Sequence, residues 1–172
     1  MESLTVRIAT TDSVDTQELA AVAAQTFPLA CPPTTSPEDI ASFIAANLSA
    51  SRFAEFLADP QRAVLTARQH GRIVGYAMLI RDVVDRDVPA AELSKLYVLP
   101  DFHGAGAATA LMDTALTVAV DWGVRRVWLG VNQKNQRAQR FYTKSGFTIS
   151  GTRMFQLGTH TENDYVMVRG LE

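Results

Sequence analysis

Apolar positions in the first sixty residues recur mostly at helical spacing, and from Ala63 onward mostly at strand spacing, with two further helical stretches set among the strands. A short strand is read over 5–9. Asp15 then stands three residues before Glu18, and Leu19, Val22, Ala23 and Phe27 follow at i, i+3, i+4 and i+8, the signature of an amphipathic helix. The stretch 27–33, bounded by Phe27-Pro28 and Pro33, reads as a stiff connection. Ser36-Pro37-Glu38-Asp39 opens a second helix, because Ser accepts from orphan amides and Pro suits the first turn. Its apolar face is Ile40, Phe43, Ile44 and Leu48, and Phe53, Phe56 and Leu57 continue the helical region to Asp59-Pro60. Residues 63–68 and 73–80 form a hairpin about Gln69-His70-Gly71-Arg72. After a polar connection at 82–89 comes a strand over 91–98 ended by Pro100. A helix over 107–122 carries Ala108, Leu111, Met112, Ala115, Leu116 and Ala119 on one stripe and stops at Gly123. A strand over 126–131, a helix over 136–145 ending at Gly146, and strands over 147–155 and 165–169 close the chain. The resulting order, β-α-α-β-β-β-α-β-α-β-β, predicts a mixed α/β sheet rather than a doubly wound one.

Composition narrows the class. The 172 residues are 47% hydrophobic with a mean hydropathy of +0.02, an ordinary globular chain expected to form a single domain over 1–172. A formal net charge of −2 leaves no global basic field for nucleic acid or anionic membrane, so neither is expected as a partner. The longest apolar runs, 74–80 and 114–120, fall far short of the roughly 18 residues that span a bilayer. Residues 1–20 lack the basic and apolar regions of an export signal, and a cytoplasmic location is expected. Cys31, the single cysteine, has no partner for an intrachain disulfide and no metal-ligand spacing around it, and reads as an apolar filler; no metal is expected. The net charge conceals an asymmetry: residues 1–60 carry two bases (Arg7, Arg52) against eight acids, the remainder fourteen bases against ten acids.

Candidate chemistry concentrates in two stretches. In the first, the strand through Leu93 to Val98 leads via Leu99-Pro100-Asp101-Phe102-His103-Gly104-Ala105-Gly106-Ala107-Ala108 into a helix. Glycines let successive backbone N–H groups face an anion, and the helix N-terminus adds partial positive charge, so this loop suits a phosphate; a tight strand-to-helix turn is the plainer alternative. A dinucleotide fingerprint fails because Thr109 stands at the third Gly and no acid ends the strand over 126–131, and a P-loop fails for want of Gly-Lys-Ser/Thr. The second stretch is Asn135-x-x-Ala138-x-x-Phe141-Tyr142-x-x-x-Gly146-Phe147.

That spacing resembles the Gcn5-related N-acetyltransferase (GNAT) superfamily, and the first stretch is similar to that family's acetyl-CoA pyrophosphate loop. Within it, Phe102-His103-Gly104, Val127-Trp128-Leu129-Gly130-Val131, Lys134-Asn135 and Phe155-x-Leu157-Gly158 resemble the PaiA-type polyamine acetyltransferases. The resemblance implies an α/β GNAT fold: a mixed sheet of about seven strands splayed between strands 4 and 5, with about four helices and acetyl-CoA as cosubstrate in the opening. It implies backbone contacts at Leu96, Tyr97 and Val98, with the Val98 amide at the thioester oxygen, and pyrophosphate held by His103, Gly104, Ala105, Gly106, Ala107 and Ala108. Asn135 would reach the pantetheine arm and Ala138 would let it pass. Tyr142 would protonate the departing thiolate, a core tyrosine being the alternative. Where many relatives carry a base on the strand, this chain has Ser94; Glu92, about 6.6 Å further along the same face, is the candidate to act through water. His160 and Glu162 are further candidates, with a polar turn the plainer reading. The implied partner is a small-molecule amine, a polyamine such as spermidine, to which the acidic first third adds an independent attraction, and a homodimer is left open. Another amine (amino acid, antibiotic, protein N-terminus or lysine) and a non-catalytic acyl-CoA-binding regulator stand as alternatives.

Overall fold

The computed structural model describes residues 4–85, 88–158 and 160–171. In chain order the elements are β1 (Thr5–Ile8), α1 (Thr16–Ala30), α2 (Pro37–Asn47), α3 (Ala50–Ala58), β2 (Arg62–Gln69), β3 (Arg72–Asp85), β4 (Val88–Val98), α4 (Ala107–Asp121), β5 (Arg126–Asn132), α5 (Gln136–Lys144), β6 (Thr148–Leu157) and β7 (His160–Gly170). They build one seven-stranded sheet in the order β1-β2-β3-β4-β5-β7-β6. All neighbours are antiparallel except β4 and β5. A parallel pair needs a crossover, and α4 supplies it.

Helix starts follow the sequence signals. Asp15 accepts from the Gln17 and Glu18 amides, and Ser36 from Asp39. Ser49 accepts from Arg52, so the segment holding Phe53, Phe56 and Leu57 is a separately capped helix and the α-helices number five among the described residues. Pro28 lies inside α1 rather than after it: its missing amide falls in the last turn, where the Cys31 N–H closes on the Pro28 carbonyl at 3.2 Å. The expected polar connection at 82–89 is strand instead, with Val83 opposite Ala90 and Asp85 opposite Val88, because ladder pairing is a backbone property that polar side chains do not forbid. Residues 86 and 87 of that connection lie outside the described residues. Likewise β7 begins at His160, so His160 and Glu162 sit on a strand and not in a turn.

The sheet carries a core on each face. One packs Leu111, Met112 and Ala115 of α4 against Leu65, Leu79, Leu93 and Leu129. The other packs Leu19, Val22 and Phe27 of α1 and Phe53 of α3 against Val64, Ile73, Tyr76 and Met78. No helix among the described residues is long and apolar enough to cross a membrane.

One irregularity shapes the open end of the sheet. β4 and β5 pair only through Ala90–Arg126, Ala91–Val127 and Glu92–Trp128, then separate, although both strands run on to Val98 and Asn132. On the other side of β4 the register moves from Met78–Lys95 to Leu79–Leu93, which leaves Ser94 as an extra residue. Such a bulge bends its strand and sharpens its twist, and here it turns β4 away from β5 where their ladder ends.

Candidate active site

A cleft of about 890 Å³ opens where β4 and β5 part, walled by both strands, the β4–α4 loop, α5, α1 and β6–β7. Leu99 donates its N–H to Val74 on β3 at 2.8 Å. Strand alternation therefore aims the backbone groups of Leu96 and Val98 into the gap, while Tyr97 turns its own toward β3. The Val98 carbonyl is taken by the His103 ring, Nε2 to O 2.8 Å, and its N–H has no partner among the described residues. His103 thus braces the mouth of the gap rather than standing free in the loop.

Beyond it, Gly104 and Gly106 adopt φ of 83° and 88°, left-handed conformations that glycine enters without steric penalty. Gly106 is the N-cap of α4, and among the described residues no side chain caps that end. The first bond of the helix runs from Ala110 N–H to Gly106 O, so the amides of Ala107, Ala108 and Thr109 have no partner within the helix and none among the described residues. With those of Gly104 and Gly106 they form an anion-ready row, strengthened by the helix dipole. Two expected members contribute differently. The Ala105 amide is spent on Phe102 O at 3.2 Å, and the Ala107 side chain is buried in the α4 core, leaving only its amide to serve.

From the opposite wall, Asn135 caps α5 by accepting from Ala138 N–H at 3.2 Å through Oδ1, which leaves its amide nitrogen free to donate toward the cleft. Ala138, Phe141 and Tyr142 pack on the α4-side core and border the same opening. The Tyr142 ring is held edge-on between Phe141 and Phe147, centroids 5.6 and 6.0 Å away. Burial pushes its phenol up to about 12, so it carries its proton throughout the working pH range.

The bulge redistributes β4. Glu92, Lys95 and Tyr97 face the α1–α3 side, Glu92 paired with Ile80 and Lys95 with Met78, whereas Leu93, Leu96 and Val98 face α4. Simple alternation from Glu92 to Leu96 is thus interrupted at Ser94, the extra residue, whose hydroxyl lies 3.5 Å from Met78 O; Glu92 and Ser94 both line the cleft. Burial raises the Glu92 carboxyl above its usual range, against the pull of Arg153, Lys95 and Arg62. Arg153 reaches from β6 across β7 and β5, with Nη1 3.8 Å from Glu92 Oε2, Nε 3.5 Å from Asp164 Oδ2 and its guanidinium over the Trp128 ring. Gly130 makes this crossing possible: a Cβ there would stand 2.6 Å from Arg153 Cζ.

Asp164 and Glu162, 6% and 5% exposed, line the cleft from β7. Burial raises the Asp164 carboxyl while Arg153 lowers it. Glu162 lies 2.9 Å from His160 Nε2 and accepts from Asn132 at 3.4 Å. Cys31 and Tyr97 complete this end; burial, with Glu162 adding, pushes the thiol up to about 11, and burial likewise raises the Tyr97 phenol. Lys95, pushed down to about 8 by burial and by Arg62, lies over the Phe56 ring. None of the acids of residues 1–60 is among the described residues that line the cleft. Sequence reasoning missed Arg62, Lys95, Arg153 and Asp164. Arg153 and Asp164 oppose each other across β6–β7, a pairing that strand alternation could have suggested, but Lys95 depends on the bulge.

A sheet that opens along its single parallel pair, with unbonded amides at one end of the gap and a protonated phenol beside it, has the architecture of an acyl-group transferase. Residues 24–147 match the Acetyltransferase (GNAT) family, and the chain belongs to that family. It is 71% identical over 157 residues, 91% of this chain and 98% of the relative, to an uncharacterized N-acetyltransferase of Mycobacterium tuberculosis (strain ATCC 25618 / H37Rv). It is 25% identical to an uncharacterized N-acetyltransferase of Lactobacillus delbrueckii subsp. lactis, over 96% of this chain and 98% of the relative. Among solved structures, the PaiA N-acetyltransferase from Thermoplasma acidophilum in complex with coenzyme A shares the fold, with TM-score 0.81, 21% identity and coverage of 98% of this chain and 99% of that one.

Proposed function

We propose that the protein transfers an acetyl group from acetyl-CoA to the primary amine of a small cationic acceptor, a polyamine such as spermidine or spermine, by direct attack in a ternary complex. The observation that carries the transfer reaction is the gap itself: the open Leu96 backbone groups and Val98 N–H, the amides of Gly104, Gly106, Ala108 and Thr109, which have no partner among the described residues, the free Asn135 amide and the Tyr142 phenol all border one cleft. These groups fit a long thiol ester that ends in a pyrophosphate. Acetyl-CoA supplies an activated carbonyl on a thiol leaving group. The Gly104, Gly106, Ala107 and Ala108 amides hold its phosphates, Leu96 and Asn135 hold the arm, and the Val98 N–H stabilises negative charge developing on the carbonyl oxygen. Tyr142 gives its proton to the departing sulfur. Glu92 orients the acceptor's ammonium or passes its proton through a water.

The polyamine reading draws on the sequence resemblance, on the PaiA structure as a fold relative, and on the three carboxylates Glu92, Glu162 and Asp164 in the cleft wall. It treats residues 1–172 as one catalytic domain in the cytoplasm, with neither nucleic acid nor membrane as a partner and with a homodimer left open. The test is release of free thiol from acetyl-CoA against a panel of polyamines, amino acids, aminoglycosides and peptide N-termini. Turnover with spermidine supports the reading. Turnover with another amine alone would move the acceptor class, and binding of acetyl-CoA with no thiol release from any amine would make the protein an acyl-CoA-binding regulator.

A further inference from the structure

Acetylation of an amine that binds as its ammonium ion requires a group to take the proton away before the nitrogen lone pair can attack. Ser94 offers no base, and its hydroxyl turns to the Met78 carbonyl. Glu92 is held by Arg153. The same bulge that removes Ser94 from the ladder sets Glu92 and Lys95 on one side of β4, with Tyr97 next along it, all three on the cleft wall.

We propose that the Lys95 side-chain amine is the proton-accepting base of the reaction, with Glu92 orienting the acceptor. This rests on the acetyl-transfer reading above. Among the described residues the Lys95 nitrogen makes no hydrogen bond and no ion pair, and it lies over the Phe56 ring of α3, 5.4 Å from its centroid. A partly buried cation without a counter-ion is disfavoured relative to its neutral form. The charged surroundings act in both directions. Arg62 from β2, itself bridged to Asp59 at the end of α3, repels the ammonium, while Glu92 favours it. The Tyr76 and Tyr97 phenols from β3 and β4 stay protonated, and Arg153 from β6 is occupied by Glu92 and Asp164. The balance leaves Lys95 at about 8, so a neutral fraction exists at neutral pH.

The step balances without another reactant. The acceptor R–NH3+ passes one proton to the neutral Lys95 nitrogen. Its lone pair forms the bond to the acetyl carbon, the carbon–sulfur bond breaks, and the thiolate leaves. Tyr142 protonates that sulfur and recovers the second proton of the nitrogen, and Lys95 later returns its proton to water.

Arginine keeps the charge and length at this position but cannot lose a proton. The test compares wild type and Lys95→Arg with two primary amines, one with pKa near about 10 and a weakly basic one near about 6 that is already neutral in the assay. Lys95→Arg should lose roughly 10²-fold or more of kcat/KM with the strong base and no more than a few-fold with the weak one. Equal losses with both amines, or no loss with either, would overturn the assignment. Wild type alone supplies a second measurement should the variant not fold: kcat/KM with the strongly basic amine should level off above about pH 8, as Lys95 loses its proton, and a rise continuing to the acceptor's own pKa would refute it. Absence of thiol release from wild type with every amine would instead fail the acetyl-transfer reading.

Discussion

Removing one oxygen from Tyr142 separates packing from chemistry more cleanly than any other change in the cleft. In Tyr142→Phe the ring that rests against Phe141 and Phe147, at 5.6 and 6.0 Å, is retained. Among the described residues the hydroxyl has no hydrogen-bond partner, so its loss orphans no buried donor or acceptor. Stability should move by less than about 1 kcal/mol. The α4 N-terminus and the open strand edges are untouched, and acetyl-CoA affinity should be unchanged. A positioned general acid contributes about 10²- to 10⁴-fold, equivalent to roughly 3 to 5 kcal/mol of transition-state stabilisation, and the whole of that loss should fall on kcat. Because burial holds the phenol up to about 12, wild type keeps the donor protonated from pH 6 to 10, and the ratio of the two rates should be flat across that range. The assay is single-turnover thiol release with saturating acetyl-CoA and amine, which prevents slow product release from masking the chemical step. A variant rate within threefold of wild type would take the phenol out of the mechanism, and a ratio that falls as pH rises toward 10 would show that the phenol titrates in that range.

Gly106→Val places a β-branched residue at φ 88°, where among the described residues nothing lies within 4 Å of the new Cβ, so backbone strain should cost the fold about 1 to 2 kcal/mol of stability while acetyl-CoA affinity falls at least tenfold. Calorimetry showing unaltered affinity would reject the phosphate role of the loop. Gly130→Ala should push the Arg153 guanidinium off β5; since Arg153 lowers both Glu92 and Asp164, each carboxyl should then titrate higher. Acceptor KM should rise several-fold and more steeply as pH falls, and an unchanged KM at pH 6 would refute the coupling. Glu92→Gln removes the one neighbour that holds the Lys95 ammonium up, so the level region of kcat/KM should begin at lower pH than in wild type while acceptor KM rises. A profile displaced to higher pH would contradict that sign.

Local patterns in the chain were enough to place most elements. Asp15, Ser36 and the glycines at 71, 123 and 146 act within a few residues of themselves, through caps and left-handed turns, and the structure puts helix starts and turns where they indicate. The phosphate-ready loop and the Asn135–Phe147 motif were legible for the same reason, since a helix N-terminus and one helical face are short-range objects. Pairing across the sheet is not. Whether 82–85 and 88–90 are loop or strand depends on what lies opposite them, and the backbone ladder between β3 and β4 decided it. The composition of the acceptor end was beyond reach for the same physical cause. A single bulged residue, Ser94, shifts side-chain parity along β4 and puts Glu92 on the face of Lys95 and Tyr97 rather than on that of Leu96 and Val98. Arg153 meets Glu92 only because β6, β7 and β5 stack in that order and Gly130 leaves room for the crossing. The acidic first third illustrates the converse. Its charge is plain in the composition, yet the helices that carry it turn apolar and small residues to the cleft, and charge acts from where the fold puts it.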